Sequence, residues 1–281
     1  SNNAYRDWGL GLAFERLAWR GIVAYDYLQK LLWRTRPYEK VKGSANALFE
    51  ELTAAVSDRV RRRQPFADIL RNAAPRFKEL MDPNLPRRPL VGINGEIFLR
   101  SNSFSNNNLA EKCEAAGLEW MNYLALRNVQ DGIMYRQVKK AIRGYIRRKI
   151  QQHDEKSVVK QFAPLVDVEE PTIEQLLSYT KPHLSPRCGS EAVLSIGTGI
   201  EWMENPHFAG VISVMPHGCM PGGIVAAMSE NLAQEYGKPW ISLTYDGSIE
   251  NNNLVKIQNF AEILRYSGNR TALRAGESRS H

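Results

Sequence analysis

Apolar positions in the first third of the chain recur at helical spacing. Trp8, Leu12, Leu17, Trp19, Ile22, Val23, Leu28, Leu31 and Leu32 mark one broad face that ends near Arg36-Pro37. Ser44 is placed to cap a second helix carrying Leu48, Leu52, Ala55 and Val56. Arg59, Arg61, Arg62 and Arg63 close it, cations suited to a helix C-terminus, so the run needs no nucleic acid to explain it. A third helix is expected from about Pro65 to Met81. The stretch Asp82-Pro-Asn-Leu-Pro-Arg-Arg-Pro89 then breaks the pattern and reads as a domain boundary. Residues 1–86 are therefore expected to be a helical region.

Beyond that boundary the rhythm changes. Leu90 to Leu99 predicts a strand, Asn107 to Ala116 a helix closed by Gly117, and Leu118 to Leu124 a second strand. Val129 to Phe162 reads as a long helix in which Arg136, Lys139, Lys140, Arg143, Arg147, Arg148 and Lys149 alternate with apolar positions. That pattern fits a solvated face over an apolar stripe. Helices at Thr172 to Tyr179 and Cys188 to Met203 lead to a strand at Gly210 to Met215. A helix from Pro221 to Tyr236, a strand from Pro239 to Tyr245 and a helix from about Asn251 to Tyr266 follow.

The fold class expected is α/β, a Rossmann-like doubly wound parallel sheet of about four strands preceded by the helical region. The α/β domain is expected over residues 87–268, with a helical insertion at about 127–209 and a loose tail at 269–281. The economical strand order is 2-1-3-4, which sets the first and third strands side by side with their helices on opposite faces. A crevice then opens between their carboxyl ends. The loops after the strands would bring Glu96, Arg100, Asn106, His217 and Asp246 there as substrate- or cofactor-binding residues, together with Cys219.

Composition narrows the class. The 281 residues are 43% hydrophobic and 24% charged, as in an ordinary globular protein, and no apolar run is long enough to span a membrane. Three scattered cysteines, with no CxxC, argue against a disulfide scaffold and for a reducing, cytoplasmic compartment. A net charge of +7 permits an anionic partner such as coenzyme A without naming one; nothing calls for nucleic acid. The chain starts Ser1-Asn2-Asn3-Ala4 without an initiator Met, and reads as a piece of a longer protein.

The candidate chemistry centres on Val211-Ile-Ser-Val-Met-Pro-His-Gly-Cys-Met-Pro-Gly-Gly223. It reads as strand, tight loop and helix, with Pro221 in the first turn. A thiol facing a helix N-terminus is favoured as thiolate, the form that attacks electrophiles or ligates metal. Cys188 follows Pro186 near another helix start and reads equally as a core residue or a ligand. Cys113, four residues after Leu109, reads as a buried small hydrophobe. Gly218 to Gly223 lacks the Lys-Ser/Thr pair of a P-loop. Gly197-Thr-Gly199 lies in a helical pattern without a preceding strand and is no dinucleotide fingerprint. His217 beside Cys219 is too close in sequence to suggest a thiol hydrolase, and Asp246-Gly247 reads equally as a turn or a ligand contact.

Gly95-Glu-Ile-Phe98, Ser103-Phe-Ser-Asn106, Gly189-Ser-Glu-Ala192, Pro216-His-Gly-Cys-Met-Pro221 and Tyr245-Asp-Gly247 occur in that order. With them the chain, from about Trp8 to Leu264, resembles the C-terminal part of the acyl-CoA dehydratase activase-related family. These are relatives of the iron–sulfur component of 2-hydroxyacyl-CoA dehydratases and benzoyl-CoA reductases, proteins of anaerobic metabolism. The resemblance implies Rossmann-like lobes, an acyl-CoA ligand and an iron–sulfur cluster supplied with electrons by an ATP-hydrolysing activator. It makes Cys219 a metal ligand, and Cys188 a weaker one. A cubane takes roughly three or four thiolates, so this chain alone would not complete the cluster or catalyse dehydration. The expected function is thus that of a fragment of an iron–sulfur, acyl-CoA dehydratase- or reductase-type protein or its activase. It would take part in electron-driven activation of a CoA thioester. The alternatives are a noncatalytic CoA- or nucleotide-binding or partner-docking module without a metal, and a scaffold whose basic helix binds an acidic protein.

Overall fold

The computed structural model describes residues 11–123, 142–161, 170–248 and 252–277. In chain order its elements are α1 (Gly11–Thr35), α2 (Ser44–Arg61), α3 (Ala67–Leu80), β1 (Leu90–Gly95), α4 (Ile97–Ser101), α5 (Leu109–Ala115), β2 (Glu119–Met121), α6 (Ile142–Val159), α7 (Ile173–Thr180), α8 (Ser190–Glu204), β3 (Phe208–Pro216), α9 (Met220–Tyr236), β4 (Trp240–Tyr245) and α10 (Asn253–Glu277). They fall into two compact units, Ser1–Leu85 with Gln130–Glu169 and Pro86–Val129 with Glu170–His281. Among the described residues no helix is long and apolar enough to cross a membrane.

Among the described residues the first unit is built from the helices α1, α2, α3 and α6. Val23, Leu28 and Leu31 of α1, Leu52 of α2 and Phe77 of α3 are buried, as the helical spacing requires. The segment read as one insertion, about 127–209, is shared between the units. Its α6 joins α1, where Arg16 grips the buried Asp154 through two bonds of 2.8 Å. Arg136, Lys139 and Lys140 of the expected basic helix lie outside the described residues. Ser44 is not the cap of α2. Gly43 holds that position at φ 92°, and Glu39 accepts from the N–H groups of Gly43 at 2.7 Å and Ala45 at 3.0 Å. A carboxylate thus serves the helix start that a hydroxyl was expected to serve. The arginine run is engaged locally: Arg61 and Arg62 pair with Asp58, and Arg59 with Asp68.

The second unit holds a four-stranded, all-parallel sheet in the order β2-β1-β3-β4, the order the alternation of strands and helices predicts. Two strands are shorter than expected. β2 covers only Glu119–Met121. β1 stops at Gly95 instead of running to Leu99. There φ is +108°, and a Cβ would stand 2.0 Å from the Val214 carbonyl oxygen, so only glycine fits. The next residue, Glu96, caps α4 by accepting from the N–H groups of Phe98 at 3.1 Å and Leu99 at 2.7 Å. This capping turns the apolar Ile97-Phe-Leu99 into a helix rather than more strand.

Helices cover both faces. Gly92 of β1 lies under the Trp202 ring of α8. Gly210 of β3, paired with Val91 and therefore facing the other way, lies under Phe260 of α10. The fit is reciprocal on the α8 side, since Gly199 of α8 admits the Trp240 ring of β4. Between them runs a buried polar chain. Trp240 Nε1 donates to Ser213 Oγ at 2.8 Å, Ser213 donates to Asn94 Oδ1 at 2.5 Å, and Asn94 Nδ2 donates to the Ser195 carbonyl at 2.9 Å. It ties three strands to α8. The tail expected to be loose from residue 269 is helical as far as Glu277. Ala272, Leu273, Arg274 and Ala275 are good helix formers, and a helix once nucleated extends through them without an apolar stripe.

Candidate functional site

The sheet order places the carboxyl ends of β1 and β3 side by side, with Gly95 opposite Val214. Helices from these strands leave on opposite faces, and a crevice opens between them. It has two lobes that share Gly95, Glu191 and Ser195. The first, about 240 Å³ including its mouth, also reaches Glu96, Ser213 and Cys219. The second, about 260 Å³, also reaches Ile97, Arg100 and Thr198. The floor is the polar chain, because Ser195 and Ser213 belong to both features.

Three of the residues singled out from sequence line this crevice: Glu96 and Cys219 the first lobe, Arg100 the second. Glu96 holds α4 with its carboxylate while it edges the cavity. Cys219 is the N-cap residue of α9 and is half-buried. Its own N–H donates to the Pro216 carbonyl at 3.2 Å, and its carbonyl accepts from Gly223 at 2.8 Å, which fixes the loop. Arg100 is buried beside Glu191.

The other four are placed elsewhere. Asn106 is buried and fully engaged, donating to the Leu99 carbonyl at 2.8 Å and accepting from the Leu109 N–H at 3.0 Å. It joins α4 to α5 and does not line the crevice. Asp246 is exposed, and its Oδ1 accepts from Ser248 N at 2.9 Å and Ser248 Oγ at 2.5 Å. The Ser248 hydroxyl and N–H hold its carboxyl below the usual carboxylate range. His217 is also exposed, anchored by its N–H to the Tyr245 carbonyl at 2.8 Å. His217 and Asp246 are thus near one another on adjoining loops, and neither lines either lobe. Cys188 is exposed in a short turn, Pro186–Cys188, and is not among the residues lining either lobe.

Glu191 is the residue that sequence reasoning missed. As an acid in the first turn of a helix, it reads as a simple complement to the helix dipole. A signal existed, because α8 leads into β3 and a crossover helix runs antiparallel to its strands, so its first turn must lie at their carboxyl edge. Burial pushes the Glu191 carboxyl above its ordinary value; the Glu96 charge adds to the shift and Arg100 opposes it. The turn before it is unusual, with Gly189 at φ 62° and Ser190 at φ 65°. A left-handed serine is a local cost of the kind that gathers at functional sites.

The donor set does not make a cluster site. Cys113 is fully buried, and burial pushes its thiol far above the usual range. Among the described residues no group of three His, Cys, Asp or Glu side chains is arranged to hold a metal. Cys219 alone presents a thiol to the crevice. Comparison with known proteins adds no relative: no family model, no curated protein and no solved structure matches the chain.

Proposed function

We propose that the α/β unit is a ligand-binding module of an acyl-CoA dehydratase-type protein, whose crevice receives a CoA thioester or CoA-like anion beside the Cys219 thiol. One observation carries the reading. The segments around Gly95-Glu96, Glu191-Ala192 and Cys219 to Pro221, far apart in sequence, line a single crevice at the switch point. They are three of the five segments that bear the family resemblance; Ser103–Asn106 and Tyr245–Gly247 do not line the crevice. Glu191, whose carboxyl burial raises above its ordinary value, would face the ligand. Arg100 would offer positive charge, and Cys219 a soft nucleophile.

A metal-bearing reading has a single observation in its favour: Cys219 is reachable where Cys113 is not. In that reading Cys219 would be the one thiolate this chain contributes, and an ATP-hydrolysing activator and further cysteines would lie beyond it. The described thiols do not fit a whole cluster, so the module without a resident metal is the better-supported function.

Acetyl-CoA titrated into the full chain should raise the melting temperature and protect Cys219 from iodoacetamide, read site by site by mass spectrometry. Neither effect at millimolar acetyl-CoA would overturn the proposal. Stoichiometric iron uptake abolished by Cys219→Ser would favour the metal-bearing reading instead.

A further inference from the structure

Helix α9 opens Met220-Pro221-Gly222-Gly223, and its two glycines differ in what they do. Glycine inside a helix is less stable than alanine, so each position needs a reason. Gly222 has one: a Cβ there would meet Met215 Cβ at 2.5 Å. Gly223 has none within the fold. Its φ is ordinary, and a Cβ there would have nothing within 4 Å. Gly11, Gly43, Gly218, Gly237 and Gly247 also have open space where a Cβ would stand, but each has a positive φ that calls for glycine.

Gly223 does leave something uncovered. Residues four apart share a helix face, and Gly223 follows Cys219 by one turn. A helical side chain leans toward the N-terminus and covers the turn before its own Cα. A Cβ alone at 223 meets nothing within 4 Å, whereas a long side chain there would lean toward the turn that holds Cys219. The first lobe is tight: the space in it open to the centre of a water-sized sphere is about 10 Å³, far below the roughly 300–1,000 Å³ of ordinary ligand pockets. A ligand of CoA size seated there must extend outside. The first turn of α9 is an open way out, since Gly223 is exposed and Met220 beside it is 72% exposed.

We propose that Gly223 is a specificity-determining residue: its missing side chain keeps open the path across the first turn of α9 to the Cys219 thiol, so that the crevice accepts a ligand larger than itself. This rests on the crevice being a ligand site.

The test compares the full chain with Gly223→Ala and Gly223→Leu. The melting temperature of Gly223→Ala should rise by about 2–4 °C, because helix propensity improves and nothing is displaced. A fall would mean that the fold requires this glycine, and would overturn the proposal. Alkylation of Cys219 by the bulky N-phenylmaleimide should slow by about tenfold or more in Gly223→Leu. The small iodoacetamide should slow much less. Equal rates with both reagents in all three proteins would overturn the proposal. Acetyl-CoA should bind Gly223→Leu more weakly than wild type. If acetyl-CoA binds all three equally, the ligand class stands and the role of Gly223 falls. If acetyl-CoA binds none while the size selectivity holds, Gly223 controls access and the proposed ligand class is wrong.

Discussion

Replacing Ser213 by alanine deletes one oxygen at the centre of the sheet and leaves two buried partners behind. The hydroxyl donates to Asn94 Oδ1 at 2.5 Å and accepts from Trp240 Nε1 at 2.8 Å, and Ser213 and Asn94 are both fully buried. An orphaned buried donor or acceptor costs about 1–3 kcal/mol. With two orphans and some relaxation around them, Ser213→Ala should cost about 2–4 kcal/mol. Urea unfolding at an unchanged m-value is the assay. Trp240→Phe removes one of the two partners, so the double variant should fall short of the summed single losses by about 1 kcal/mol. A loss below about 0.5 kcal/mol, the size of an ordinary surface change, would refute the reasoning. So would strict additivity, since it would mean the three side chains do not act as a chain.

Gly199→Ala forces a Cβ to 2.0 Å from the Trp240 ring and should cost about 1–3 kcal/mol by urea midpoint; an unchanged midpoint would show that α8 does not pack on β4 as described. Glu191 has a raised carboxyl value, so it binds more proton folded than unfolded. Its contribution is full below the unfolded value, near 4.5, and is lost as pH rises through the folded one. Glu191→Gln should therefore melt higher than wild type at neutral pH and flatten the fall in stability with pH; an unchanged profile would remove Glu191 from the crevice. Cys219 should react with iodoacetamide about tenfold or more faster than Cys113, whose burial suppresses thiolate, and site-resolved mass spectrometry decides it.

The strand order was legible because apolar runs alternate with helical periods, and a parallel doubly wound sheet leaves few arrangements for four strands. Cys219 was legible for a local reason: Pro216 ends a strand, Pro221 starts a helix, and the cysteine stands between them. What escaped depended on tertiary partners. Ile97-Phe-Leu99 is apolar enough for a strand, and only the Glu96 cap and the close approach of Gly95 to Val214 turn it into helix. Asn106 and Asp246 sit in the right loops, but their side chains close those loops instead of facing the crevice. Glu191 sits on a helix that strand and loop signals do not flag, and Ser213 gains its importance only from Asn94 and Trp240, brought beside it from other strands.

The two tryptophan–glycine fits have a consequence for how this sequence can drift. Trp202 of α8 enters the space over Gly92 of β1, and Trp240 of β4 enters the space over Gly199 of α8. Each glycine is tolerable only opposite its own indole, and each indole only opposite its glycine. A side chain added at 199 becomes acceptable once 240 has shrunk, and a smaller residue at 240 leaves a void until 199 has grown. The order in which substitutions arrive therefore matters, and the two positions are expected to change together or not at all. The same holds for 92 and 202. Distant homologues that carry a larger residue at one of these glycines should carry a smaller one at the matching tryptophan.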